Sequence, residues 1–478
     1  MRARLWAGLG AAGFIALSAL CSYPGMLNPD SASQLWQARH WSELHDWHPP
    51  IIAAIWAPLT AMFPSPADMF FLQTALFALG GYNLALALAP AAHAPRPRAR
   101  LALMAAATLA FLPMALLAAG FISKDSLMAG CLFAAGALLC RAWRDARART
   151  ALSAAGAAAL IALGLFSRVN AFMAAAPLAA LWFIIYAPAV RGLVARRPWA
   201  GLTASGALGA VLAVLLLLAT GPLNSLLGAR DARAMDSLAI FDLAGITRFS
   251  GQNQFDRAPA FAGVFTTEAI SACYEPQWWD VFRTCANVFP TVQAKGPAAS
   301  GELRAAWREA IDANPGAYLR HRTGYFLRAL HLRQYDSGWD FANDVLFTET
   351  RWVTNRDGGW ADVTPQMRED VQVWRPHLLA RALQAAARRS IEWGVQGPAL
   401  WLLAVLAMGA LALTRRTLVS TQRLYLPLLA LTASGAANTL GLFFVGVADP
   451  SRYHMWTFFV CLMGALILIA NPAAKAKA

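Results

Sequence analysis

Charge is scarce in this chain. Only 14% of its 478 residues are Asp, Glu, Lys or Arg, 58% are hydrophobic, and mean hydropathy is +0.45. A soluble protein of this length divides into two or three domains with charged surfaces, and this composition cannot coat them. Lysine is nearly missing, confined to Lys124, Lys295, Lys475 and Lys477. There is no glycine-rich phosphate loop, no internal repeat and no low-complexity tract outside the Ala-rich apolar runs, which argues against bound ATP or a nucleotide sugar. The formal net charge of +14 does not point to nucleic acid. The arginines stand in short clusters between apolar stretches, not along a stripe.

Long apolar runs are what the chain has. Crossing ~30 Å of hydrocarbon takes about 20 residues. Suitable runs lie near 5–22, 67–91, 101–121, 127–143, 151–166, 171–190, 199–221, 393–414, 424–447 and 455–471. The run at 49–63 is shorter and bracketed by prolines, which suits a helix in the interface. Arg2 and Arg4, then Arg96, Arg98 and Arg100, then Arg141 to Arg149, Arg191 to Arg197, Arg415 to Arg423, and Lys475 and Lys477 occupy every second connection. By the positive-inside rule these connections are cytoplasmic. Making 49–63 a full span would put Arg96 to Arg100 outside.

The expected fold is therefore a polytopic α-helical membrane protein of the bacterial inner membrane. It has about ten transmembrane helices, both termini in the cytoplasm, and 5–22 as an uncleaved anchor. The expected division is a transmembrane module over 1–221 with a first periplasmic loop at 23–66, a soluble periplasmic domain over 222–392, and a C-terminal transmembrane module over 393–478. The insertion reads as mostly helical with some strand. One helical stretch at 301–333 is broken at Asn314, Pro315 and Gly316, and an amphipathic helix covers 376–392. Cys21, Cys131, Cys140 and Cys461 fall in apolar runs as small core residues. Cys273 and Cys285 fall in the insertion, where a disulfide is open to them.

Residues of chemical interest gather on the outer connections. In the first loop Asp30 begins a helical stretch, as an N-cap or as a general base. His48 precedes Pro49 and Pro50. With His40 and His45 it is open to zinc, although the spacing fits no closed zinc motif. The second turn carries Lys124 and Asp125, an ionisable pair at a membrane boundary. The third carries Arg168 and Asn170, the last Arg452, Tyr453 and His454. Arg168 and Arg452 stand where positive-inside disfavours them, and anion binding is a reason for that. Lys124, Arg168, Arg452 and His48 together suit a phosphate at the outer surface.

In order and placement these residues resemble the GT-C glycosyltransferases, membrane enzymes using polyprenyl-phosphate sugars, among them the lipid A aminoarabinose transferases and protein O-mannosyltransferases. The likeness rests on one span, an outer loop with an early acid (Asp30), a His48-Pro49-Pro50 element leading an interfacial helix, and an outer turn with a second acid (Asp125). It covers roughly 1–190 and the 448–454 turn. Two features depart from the family: Ser31 follows Asp30 where an Asp-Glu pair is common, and the soluble domain precedes the last three spans.

The resemblance implies sugar transfer from a polyprenyl-phosphate donor to a lipid, glycan or protein acceptor at the periplasmic face. Asp30 would be the base and Asp125 would position acceptor or sugar. Lys124, Arg168, Arg452 and His48 would stabilise the leaving phosphate, with Asn170, Tyr453 and His454 beside them. A divalent cation bridging both acids is a cofactor the pattern allows. The rivals are an O-antigen ligase or polymerase using a lipid diphosphate, with its Arg and His expected in 315–335, and a transporter or flippase.

Overall fold

The computed structural model describes residues 2–27, 29–62, 66–89, 97–332, 397–415, 418, 420, 423–448 and 451–470, with scattered positions between 378 and 389. Among these residues every regular element is a helix. The strand expected in the insertion does not form: two isolated bridges are the only β pairing among the described residues. The amphipathic helix expected at 376–392 falls mostly outside them.

The apolar runs become α1 (Arg2–Ser22), α4 (Ala67–Leu88), α5 (Pro97–Gly120), α6 (Lys124–Arg144), α7 (Ala151–Ser167), α8 (Phe172–Tyr186), α10 (Pro198–Leu218), α17 (Pro398–Leu413), α18 (Tyr425–Val445) and α19 (Met455–Ala470). Among the described residues, eight helices are long and apolar enough to cross a membrane. Two of them, α8 and α19, reach that length with the 3₁₀ turns leading into them, as Val169–Tyr186 and Arg452–Ala470, whereas α7 and α17 stay at 17 and 16 residues. The run expected over 171–190 ends at Tyr186, because Ala187 before Pro188 is extended and a separate helix α9 (Pro188–Arg196) follows. The proline-bracketed run is α3 (Pro50–Met62), 13 residues or about 20 Å, too short to span.

Helix α6 is the centre of the bundle, with 89% of its apolar stretch buried. Ser123 caps it, accepting a hydrogen bond from the Ser126 backbone N–H, and Asp125 in the first turn suits the positive end of the helix dipole. Elsewhere small residues bring backbones together. A Cβ on Gly209 of α10 would lie 2.4 Å from the Ala176 carbonyl of α8. Outer helices such as α1 and α10 keep apolar side chains exposed, Leu9, Leu20, Val211 and Leu215 among them, as a lipid-facing surface does.

The insertion opens with α11 (Thr220–Leu226) and packs α12 (Met235–Ser250), α13 (Thr267–Cys273), α14 (Val288–Ala294), α15 (Gly296–Ala313) and α16 (Pro315–Ala329) around its own core. The break at Asn314 separates α15 from α16 as read from the sequence. Cys273 and Cys285 form a disulfide, and the other four cysteines are free and buried.

Candidate active site

Three backbone links build the site. After α1 the chain turns and Met26 bridges Phe121 in parallel: Met26 N donates to Gly120 O at 2.9 Å, and Ile122 N to Met26 O at 2.8 Å. Gln73 of α4 fastens the same turn by donating to the carbonyls of Ala118, Ala119 and Phe121. The Ser31 hydroxyl donates to the Ile122 carbonyl. These bonds fix the register of α2 (Pro29–Arg39) on the start of α6, which puts Asp30 beside Lys124. The second link ties the first loop to the insertion. Arg230 N donates to Leu44 O, Asp46 N to Arg230 O, and Ala232 N to the Asp46 carboxylate. The third ties the insertion to the last loop. Trp279 N donates to Val447 O at 2.8 Å, Arg322 to Gly446 O at 2.6 Å and the Tyr325 hydroxyl to Ala448 O at 2.7 Å.

The ionisable groups then converge. Lys124 Nζ lies 2.9 Å from Asp30 Oδ2 and donates to His48 Nδ1 at 2.8 Å. His48 Nε2 is 3.7 Å from Asp30 Oδ1. Arg452 spans both acids, Nη2 3.4 Å from Asp30 Oδ2 and Nε 3.4 Å from Asp125 Oδ2. Arg168 Nε is 3.0 Å from Asp125 Oδ1 and donates to Asn170 Oδ1 at 3.1 Å. The Arg168 guanidinium lies 4.1 Å over the Tyr453 ring, a cation–π contact. Lys124 and Asp125, adjacent in sequence, thus turn to different partners. Asp125 is 1% exposed, whereas the Asp30 side chain is 22% exposed.

Burial raises the Asp30 carboxyl, but the Lys124 ammonium foremost, with Arg452, outweighs it and holds the group well below the usual carboxylate range. Burial first, then the Lys124 charge, push the His48 ring well below its ordinary value against the pull of Asp30, so His48 is neutral at pH 7. Three cations face two carboxylates, leaving one positive charge in excess, which is the balance an anion needs.

A cavity of about 490 Å³ opens beside the cluster, between the bundle and the insertion. Lys124, Arg168, Asn170 and Tyr453 line one side. Trp47, Asp231, Arg233 and Arg304, none anticipated from sequence, line others. Arg233 carries no such signal in the sequence: it shares the long insertion with Arg230, Arg248 and Arg257, where the charge test that selected Arg168 and Arg452 on short connections does not discriminate.

One expectation needs correction. His454 does not join the site. It is 1% exposed at the start of α19 and shares a hydrogen bond with the Thr439 hydroxyl of α18, in a buried network with Thr457. His40 and His45 are also engaged elsewhere, by Trp36 O and by the Trp47 N–H. A metal fits poorly: the described residues hold no group of three His, Cys, Asp or Glu with the spacing of a metal site. Both acids already carry cationic partners.

His321 and Arg322, one of the histidines and one of the arginines of 315–335, are 0% exposed and bind Asp242 at 3.1 and 2.6 Å. Trp307 and Tyr274 complete that network, through Asp242 and His321 respectively. They hold α12 against α16 and the insertion against 446–448. No family model, characterised protein or solved structure matches the chain.

Proposed function

We propose that this protein transfers a sugar from a polyprenyl-phosphate donor to an acceptor at the outer face of a bacterial inner membrane. The supporting observation is the meeting of Asp30, His48, Lys124, Asp125, Arg168 and Arg452, from four separate outer connections, beside a cavity that Lys124 and Arg168 line. On this reading α7 and α17 complete ten spans, and the insertion is periplasmic, in keeping with its disulfide.

The chemistry follows from the charge balance. The donor phosphate enters against Lys124, Arg168 and Arg452, whose charge stabilises it as it leaves. Asp125, enclosed by two guanidiniums, fixes their direction. Asp30 alone is a weak base, because Lys124 and Arg452 favour its ionised form. A phosphate that draws those cations off raises the basicity of Asp30, so base strength appears once the donor is bound. Asp30 then takes the acceptor proton as the acceptor attacks the sugar carbon and the C–O bond to phosphate breaks. Neutral His48 keeps Lys124 oriented.

The test is binding of polyprenyl phosphate by purified protein. Arg168→Gln is expected to weaken it at least tenfold, an ion-paired hydrogen bond to phosphate contributing about 1.5–3 kcal/mol. Equal binding by wild type and Arg168→Gln would sink the phosphate role. The ligase reading would gain if a lipid diphosphate bound and the monophosphate did not.

A further inference from the structure

A second and larger cavity, about 1140 Å³, lies at the other end of the bundle, open between α1, α4, α5 and α19. Its distance from the site is set by α6: Lys124 starts this helix of 21 residues and Arg144 ends it, about 30 Å away. The groove wall is apolar, from Phe77 to Leu88 along α4 and from Leu101 to Ala115 along α5. These stretches measure about 17 and 21 Å, close to the depth of one leaflet of a ~30 Å hydrocarbon core. The groove's length is that of a lipid chain.

One end of the groove is basic. Arg4, Arg141 and Arg144 line it, and Asp145 is the only acid among the lining residues. Arg141 donates to Asn83 Oδ1 at 2.9 Å. Arg144 differs: its Nη1 is buried and has no hydrogen-bond partner among the described residues. A second cation, Arg423, acts on Arg144, so this end of the groove carries more positive charge than Asp145 offsets, and a bound anion balances it.

We infer that this groove binds an anionic phospholipid of the cytoplasmic leaflet. Its phosphate lies against Arg144, Arg141 and Arg4, and its acyl chains lie along α4 and α5. Charge selects the lipid: a zwitterionic headgroup also presents a phosphate but brings no net charge against three arginines and one aspartate, and basic pockets between transmembrane helices on the cytoplasmic side favour anionic headgroups. The inference rests on the chain spanning a membrane with its basic ends inside, and it stands apart from the sugar-transfer reading.

The experiment is native mass spectrometry of full-length, delipidated protein titrated with phosphatidylglycerol or with phosphatidylcholine of the same chains. Wild type is expected to bind phosphatidylglycerol at least fivefold more tightly. Arg144→Gln, which breaks no hydrogen bond at Nη1, is expected to lose about fivefold of that preference. Gly81→Leu projects from the groove wall into open space and is expected to weaken both lipids without changing their ratio. Equal affinity of wild type for the two lipids overturns the inference. So does an unchanged preference in folded Arg144→Gln, or displacement of phosphatidylglycerol by polyprenyl phosphate at equal concentration.

Discussion

Lys124 Nζ and Asp30 Oδ2 lie 2.9 Å apart across 94 residues of sequence. The bond closes a buried cluster in which each partner needs the other. Replacing Lys124 by Met leaves Asp30 facing His48 and Arg452 alone. Removing one member of a buried pair costs about 3–5 kcal/mol when both are fully enclosed, and less here because Asp30 is partly open. A drop in melting temperature with Lys124→Met, largely relieved in Lys124→Met/Asp30→Asn, is expected in thermal unfolding. An additive double variant would contradict the pairing.

The pH dependence of stability has a definite sign. His48 has its folded pKa well below the ordinary value of about 6.5. The unfolded chain therefore binds the proton more readily. The stability this supplies is complete above about pH 6.5 and is lost as pH falls toward the folded value. His331, half-buried and lowered to about 4 by desolvation, acts in the same direction. Asp30 behaves likewise, but its window opens only below about pH 3.9. Melting temperature is expected to fall between pH 7 and pH 5, and to fall less in His48→Gln.

Gly245 sits inside α12, where Ala has the better helix propensity by about 1 kcal/mol. A Cβ there would lie 2.2 Å from His321 Nδ1, in a network holding Asp242, Arg322 and Trp307. Overpacking costs about 1–3 kcal/mol and outweighs propensity. Gly245→Ala is expected to destabilise the protein in denaturant unfolding; a stabilised variant would mean that the ring has room to move.

The disulfide of Cys273 and Cys285, 12 apart in sequence, closes a loop whose constraint contributes about 3 kcal/mol on the chain-entropy model. Thiol titration of denatured, unreduced protein is expected to find the four free cysteines. A count of six would remove the bond and with it an argument for an oxidising compartment.

Much of the fold was legible in the sequence, because membrane helices announce themselves by length and apolarity. The runs that became α4, α5 and α6, and the Pro-bracketed α3, were readable on those grounds. The site was legible in part. Asp30, Lys124, Asp125, Arg168 and Arg452 stood out as charges on short connections, some against the positive-inside rule. Their pairing was not readable, since it depends on Met26 bridging Phe121 and on Ser31 reaching Ile122, bonds that carry no composition signal. His454 was misplaced for a related reason: its sequence neighbours Arg452 and Tyr453 face the site, but the short 3₁₀ turn Ser451–His454 carries His454 round toward Thr439. The insertion's α12 to α16 network was hidden because Asp242 and His321 pair across 79 residues and resemble ordinary surface residues in isolation.

The most direct measurement is sugar transfer in proteoliposomes supplied with a labelled mixture of polyprenyl-phosphate sugars, comparing wild type with Asp30→Asn. Consumption of one donor by wild type is expected, with a loss of about 10²- to 10⁴-fold in Asp30→Asn while donor binding persists. Equal turnover by the two proteins, or turnover of a lipid diphosphate alone, would contradict Asp30 as the base in a monophosphate-dependent transfer.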